Sequence, residues 1–421
     1  MSKENWFTRL TQIKPHEVLT TLLAFLFIFI LMSSYNIVKN ARDILPSDWG
    51  DTSRAIQWSY TFLASTIAVS IYNFFASRTS LKRLVPSAFV LFALSFLAIY
   101  TAFSLNFDGA ILGKVFYCWS SVFSLFHLSV FWSYISQHHT KEQSKRLFGF
   151  INTGASLGGI IGPSIMIIFP ENMQLQNVLL VTAMALLAVL PIIYILNRKY
   201  EDVEFKDDSQ TKLSPNPFSG FSELITHKRL LGIAGFIFLY SGISTFFYVT
   251  QSDLLADHVK AERTELLGWL DLVTNGLTIL LGIFAANRIA RKFGLSTSLS
   301  IVPIVTAVLL VVLSMNPAVL LVLALQVLRK AGNYSITRPA REILYTGVDK
   351  EARFKTKPII DVAVYRGADV FWIWTLAFLG DGFLNLGLSS KLLVGAGVAV
   401  IWGLLGIYLG RKHEKEEYES N

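Results

Sequence analysis

Charged side chains set inside long apolar runs are the residues of this sequence best placed to do chemistry. Arg329 and Lys330 sit in one such run, and Asn333 extends their stripe one helical turn beyond Arg329. Asp361, Tyr365 and Asp369 share one face of a second run, with Arg366 three residues before Asp369. In a third, YNIVKNARDIL (35–45), Tyr35, Lys39 and Arg42 follow i, i+4, i+7 spacing, with Asp43 beside them. Asp271, Asn275 and Thr278 recur at helical spacing in a fourth. A charge placed within a membrane helix costs about 2.5–3.5 kcal/mol on insertion scales, so a helix that keeps several turns them toward protein or water. Grouped cations of this kind give charge-assisted hydrogen bonds to phosphate or carboxylate. The nearby carboxylates either hold those cations when no anion is present or carry coupling protons.

Each group also has a reading without function. Lys39 and Arg42 either form the cationic rim of a cavity or snorkel to headgroups while Asp43 pairs with one of them. Arg329 and Lys330 are expected a turn or two from the basic turn that starts at Arg338. One of them can snorkel, but neighbours on a helix point about 100° apart, so both cannot easily reach one interface. Arg366 and Asp369 can neutralise each other as an internal pair. Asp271 is a proton or cation site, or the partner of a cavity cation. His127 is either a satisfied interior histidine or a proton relay. Gly154, Gly158 and Gly162, followed by Pro163, give a face of small residues that lets two helices approach closely.

The elements that position these residues follow from composition. The chain has 421 residues, 53% hydrophobic and 16% charged, with mean hydropathy +0.50. A soluble protein would carry about 25% charged residues. The apolar residues fall in runs of about 20, the length that crosses a hydrocarbon core about 30 Å thick. The expected fold is all-α: a polytopic membrane protein with twelve transmembrane helices in two six-helix halves. The halves are residues 1–197 and 230–421, joined by a polar, Ser- and Pro-containing linker over 198–229. Most of the 37 Lys and Arg residues fall in the two tails, the linker and alternate loops. That bias puts both termini in the cytoplasm of a cell membrane, the inner one in a Gram-negative cell.

The net charge of +8 does not indicate nucleic acid, because the basic residues lie in short turns between spans. The single cysteine, Cys118, excludes an intramolecular disulfide. No His/Cys cluster has metal-ligand spacing, and neither a P-loop nor a Ser-His-Asp constellation stands out, so no metal, cofactor or enzyme activity is expected.

The turns KEQSKRLFGF (141–150) and KEARFKTKPI (350–359) align at an offset that also brings Gly158 onto Gly367. Parallel repeats of this kind carry their site at the repeat interface near the midplane. Twelve spans with a cytoplasmic centre resemble the major facilitator superfamily, and SRTSLKRL (77–84) and ANRIARKFG (286–294) sit where that superfamily has its basic loop motif. A narrower resemblance is to the bacterial and plastid ATP/ADP antiporter (nucleotide transporter) family. It rests on YNIVKNARDIL (35–45), KEQSKRLFGFINTGASLGGIIG (141–162) and RPAREILYTGVDKEARFKTKPIIDVAVYRGAD (338–369). The resemblance implies a transporter working by alternating access.

Two transport chemistries remain open at this point. In the first, the substrate is an organic anion, a nucleotide or other phosphorylated metabolite, held by Lys39, Arg42, Arg329, Lys330, Asn333, Tyr365 and Arg366. Asp271, Asp361 and Asp369 are then its charge partners or proton carriers. In the second, the protein is a proton-coupled exporter of amphipathic or cationic compounds that binds them at the carboxylates. A non-transporting scaffold or sensor is the third reading, disfavoured because it has no use for buried charge. The expected partners are the small anion and membrane lipid, with a single chain acting as a monomer.

Overall fold

The computed structural model describes residues 13–76, 78–139, 141–199, 219–281, 287–345, 348, 356–357 and 359–420. The central part of the expected linker and the basic turn over 349–355 lie outside the described residues. No strand occurs among the described residues. The long helices are α1 (Val18–Ile44), α2 (Asp51–Ala76), α3 (Leu81–Ser104), α4 (Gly109–Gln137), α5 (Lys141–Ile168) and α6 (Leu175–Lys199). They continue as α7 (Lys228–Leu255), α8 (Lys260–Leu281), α9 (Asn287–Met315), α10 (Val319–Leu344), α11 (Ile359–Gly382) and α12 (Leu388–Ser420). Ten of the twelve are apolar and long enough to cross a membrane; α2 and α8 are the more polar pair.

Packing divides the chain into two compact units. The first comprises Met1–Leu45, Leu63–Asp207 and His258–Leu272; the second comprises Pro46–Phe62, Asp208–Asp257 and Val273–Asn421. The start of α2 therefore packs within the second unit, and the start of α8 within the first.

The first unit is built on an aromatic core. Phe27 of α1 meets Phe89 and Phe131 edge-on at 5.4 and 4.9 Å, and Phe123 of α4 meets Phe92 and Phe96 of α3. The α5 glycine stripe lies directly against α1. A Cβ at Gly154, Gly158 or Gly162 would stand 2.6, 2.6 and 2.7 Å from the carbonyl oxygens of Phe25, Phe29 and Ser33. These three residues are also spaced by four, so two i, i+4 rows interlock along the helices. The packing reading of the stripe is the one observed. Because the opposing atoms are backbone, they cannot rotate away. Gly158→Ala is expected to cost about 1–3 kcal/mol by overpacking, read as a lower melting temperature of the detergent-solubilised protein.

In the second unit, α9 is interrupted at Gly294, which holds φ +77°, a conformation open to glycine at little cost. The helix resumes with the amides of Leu295 and Ser296 donating to the Glu414 carboxylate of α12 at 2.6 and 3.1 Å. This side chain satisfies two of the amide groups left open at a helix start.

α10 departs from the sequence expectation. It does not end at Arg338 but runs on to Leu344, through a π-helical segment at Asn333–Thr337 and past Pro339. Proline is tolerated there because it lies in the first turn after the π segment. Arg329 thus stands about 15 Å from the start of α10 and about 22 Å from its end at 1.5 Å per residue. It lies near the middle of the span and not a turn or two from the basic end.

Candidate functional site

In the first unit, the α1 face forms as spaced. Lys39 Nζ lies 2.5 Å from Asp271 Oδ2 of α8, joining residues 232 apart in the chain. Arg42 donates to Asp43 at 2.8 Å through Nε and to Ser121 Oγ of α4 at 3.4 Å, with Tyr117 beneath its guanidinium. Tyr35, one turn before Lys39, stacks on the buried ring of His127 at 3.9 Å between centroids. Lys39, Arg42, Asp43 and Asp271 are all largely buried, so this is an enclosed charged cluster. Asp43 takes Arg42, which leaves Asp271 as the carboxylate on Lys39.

The second unit holds two arrangements. Arg329 of α10 is 3% exposed. Its guanidinium donates to Ser244 Oγ at 3.0 Å and to Gln326 Oε1 at 2.9 Å, and lies over the Phe247 ring at 5.2 Å. Its Nε is buried without a hydrogen-bond partner. Among the described residues no carboxylate pairs with it. Gln326 passes the contact on by donating to Gln251 Oε1 of α7. Polarity fixes the direction of this relay: an arginine can only donate, so Gln326 must turn its oxygen to Arg329 and its NH₂ to Gln251. Asn333 is buried one turn further on, at the first residue of the π segment, and Lys330 is half-buried.

The other arrangement is on α11. Arg366 and Asp369 face each other at 3.6 Å, and Ser241 Oγ of α7 donates to Asp369 at 2.5 Å. Tyr365 lies 6.2 Å from the Tyr240 ring. Asp361 does not join this group. It is exposed and pairs with Arg341 at 3.6 Å, within a cluster that includes Glu342 and Lys357. Residues Ile359–Val364 are π-helical, which changes the stagger that regular α spacing gives Asp361 and Tyr365.

Among the named residues, then, Lys39 meets Asp271, Arg42 meets Asp43, and Arg366 meets Asp369. Asp361 goes to a cation outside the set.

Several polar partners escaped the sequence reading. Ser121, Ser244, Gln251 and Gln326 are neutral residues in apolar runs, and only the i, i+3 spacing of Gln326 and Arg329 signals any of them. A second charged network went unnoticed at the start of α2. Buried Arg54 donates to Asp51 at 3.1 Å, to the Pro46 carbonyl at 2.8 Å and to Asp253 of α7. Lys391 of α12 reaches the other Asp51 oxygen at 2.5 Å, while Thr52 donates to Asp381 at 2.9 Å through its hydroxyl. Arg54, Asp51, Asp253 and Lys391 look like loop charges in the sequence because they flank helix ends. Asp51, Asp253 and Lys391, together with Asp381, line a cavity of about 340 Å³.

The sequence profile of the Major Facilitator Superfamily matches residues 18–337. ADP,ATP carrier protein 1 of Chlamydia muridarum (strain MoPn / Nigg) is 24% identical over 425 residues, covering 84% of this chain and 80% of that protein. Among solved structures, a bacterial homolog of the human lysosomal transporter Spinster superposes with a TM-score of 0.64 at 13% identity, covering 96% of this chain and 98% of that one. The nucleoside transporter NupG gives a TM-score of 0.64 at 12% identity over 94% and 99% of the two chains. A POT family transporter in complex with 5-aminolevulinic acid gives 0.65 at 14% identity over 93% and 96%. At these identities the structural likeness is one of fold.

Proposed function

The chain belongs to the Major Facilitator Superfamily, and from that premise we propose that it is a secondary active transporter of an organic anion, with a nucleotide or another phosphorylated metabolite as the substrate class. It is a multi-pass membrane protein. The two six-helix halves, residues 1–197 and 230–421, alternate access to the substrate. The loop charges support both termini in the cytoplasm, in the cell membrane, with the single chain as the working unit.

The observation that carries this reading is Arg329. Taking a charge out of water costs several kcal/mol even after relaxation, and the cost is met only by an opposite charge and good hydrogen bonds. Among the described residues Arg329 has neutral partners alone. The missing counterion is what an anionic substrate brings, and a guanidinium suits bidentate phosphate or carboxylate contact. The relay through Gln326 ends on Gln251, which accepts with its oxygen and keeps its NH₂ as a donor. Within the same unit, Arg366, tied to Asp369, and Lys330 add positive charge. The ADP,ATP carrier of Chlamydia muridarum bears a name in keeping with this class of substrate.

Detergent-purified protein should show a melting temperature raised by phosphorylated anions such as ADP, because a ligand that binds only the folded state stabilises it with concentration. Lipophilic cations should have no such effect. A shift with the cations alone would overturn the anion reading and favour the exporter. A flat response across nucleotides, sugar phosphates and carboxylates would remove the support for an anion of any of these classes.

A further inference from the structure

The α7 face that meets Arg329 also carries an aromatic pair. Ser244, Tyr248 and Gln251 follow i, i+4, i+7 spacing and so share that face. Ser244 accepts from Arg329, and Gln251 accepts from Gln326. Tyr248, between them, meets Trp58 of α2 at 5.4 Å between centroids and 56° between ring planes. One turn before Trp58, Arg54 donates to Asp253, which lies beyond Tyr248 on α7, so the two helices run antiparallel along this face. All of these residues belong to the second unit. Ser244 and Tyr248 stand one turn apart, about 6 Å along the helix axis, so one small molecule can span the guanidinium and the rings.

Both rings are half-buried, and a pair tilted in this way is not stacked face to face, so neither ring covers the face of the other. Trp58 Nε1 is buried without a hydrogen-bond partner among the described residues, as Arg329 Nε is. An indole N–H and a guanidinium can only donate, and a buried donor left unmet costs free energy that an acceptor recovers. The two donors call for acceptors of different kinds. Arg329 calls for an anionic oxygen, and Trp58, set at an angle to the Tyr248 face, calls for an acceptor on the edge of a ring that lies on that face. A second ring pair, Tyr240–Tyr365, stands one turn before Ser244. It neighbours Ser241, which donates to the Asp369 carboxylate, an unfavourable neighbour for an anionic ligand.

We infer that Tyr248 and Trp58 form a subsite for a planar, unsaturated ring, which lies on the Tyr248 face while a nitrogen or oxygen on its edge accepts from Trp58 Nε1. The ring belongs to the same molecule whose anionic group meets Arg329. Anions without such a ring, among them bare phosphates and aliphatic carboxylates, have nothing to stack on Tyr248 and bind less tightly. This rests on the anion reading and narrows it by a second, independent requirement. A ring pair that only packs α2 on α7 would make no such distinction between ligands.

Two measurements test it. In titration calorimetry, wild-type protein should bind ADP more tightly than pyrophosphate, which has the charge without the ring. Tyr248→Leu should weaken ADP by about five- to hundredfold, the range that loss of one aromatic stacking partner gives, and leave pyrophosphate unchanged. Tyr248→Phe keeps the ring and should keep ADP binding. Trp58→Phe removes the N–H and should weaken ADP by about two- to tenfold. Equal losses of ADP and pyrophosphate in Tyr248→Leu, or no loss of ADP, overturn the proposal. The second measurement uses adenosine, which has the ring without the charge, and needs only wild type and the conservative Trp58→Phe. Adenosine should quench tryptophan fluorescence in wild-type protein, and the quenching should fall in Trp58→Phe. Equal quenching in the two proteins, or none in either, overturns the proposal. Failure of both ADP and pyrophosphate to bind counts against the anion reading instead, and the adenosine result still decides whether the ring site exists.

Discussion

Arg329→Met is expected to abolish measurable anion binding while leaving the empty protein at least as stable as wild type. Truncating one member of a buried, hydrogen-bonded charge pair costs about 2–5 kcal/mol in binding, a loss of about thirtyfold to several thousandfold in affinity. The empty protein responds in the other direction because, among the described residues, the buried Arg329 guanidinium meets Ser244, Gln326 and the Phe247 ring and no carboxylate. Replacing a buried charge with an apolar side chain of similar volume is neutral or stabilising when no carboxylate is left behind. The melting temperature without ligand should therefore hold or rise, and its increase with ADP should vanish. Arg329→Lys keeps the charge but loses the planar fork, so it should bind weakly and stabilise little. A fall in the ligand-free melting temperature of Arg329→Met, with ADP stabilisation retained, would assign Arg329 to structure alone.

How far this site was legible in the sequence depends on what each residue required of its surroundings. The helices were readable because their apolar lengths match a bilayer, and α2 and α8 were readable despite their polarity because they fall between neighbours that are plain. Arg366–Asp369 and the Tyr35–Lys39–Arg42 face followed from helical spacing alone. Lys39–Asp271 did not, since it joins two helices and no local pattern couples residues 232 apart. Asp361 was grouped with Asp369 on regular α spacing, which the π segment at Ile359–Val364 does not keep. Arg329 was expected near the basic end because the Arg338–Arg341 charges read as a turn. In the fold, that stretch is helix as far as Leu344. The depth of Arg329, and with it the argument for an anion, follows from those extra turns. Gln251 and Gln326 gave almost no signal, since an amide in an apolar run reads the same whether it serves a guanidinium or another amide.

The second buried arginine supplies the contrast that tests the charge argument itself. Arg54→Met should lower the melting temperature sharply, by a stability loss of about 3 kcal/mol, the lower end of what removing one partner of a buried pair costs. The lower end applies because Lys391 still faces Asp51 and because Asp253 is 29% exposed on its side chain. The loss has two sources: Asp253 is stripped of the guanidinium it accepts from, and the Pro46 carbonyl loses its donor. Adding Asp253→Asn to Arg54→Met should recover part of the stability, since it removes the stranded charge; the double variant falling below Arg54→Met would contradict this account. Arg54 and Arg329 are the same side chain at nearly the same burial, 2% and 3% exposed. Burial alone predicts similar consequences for losing either. Pairing predicts opposite ones, because Arg54 has its carboxylates within the fold, whereas among the described residues Arg329 has none and on the anion reading its counterion arrives with the ligand.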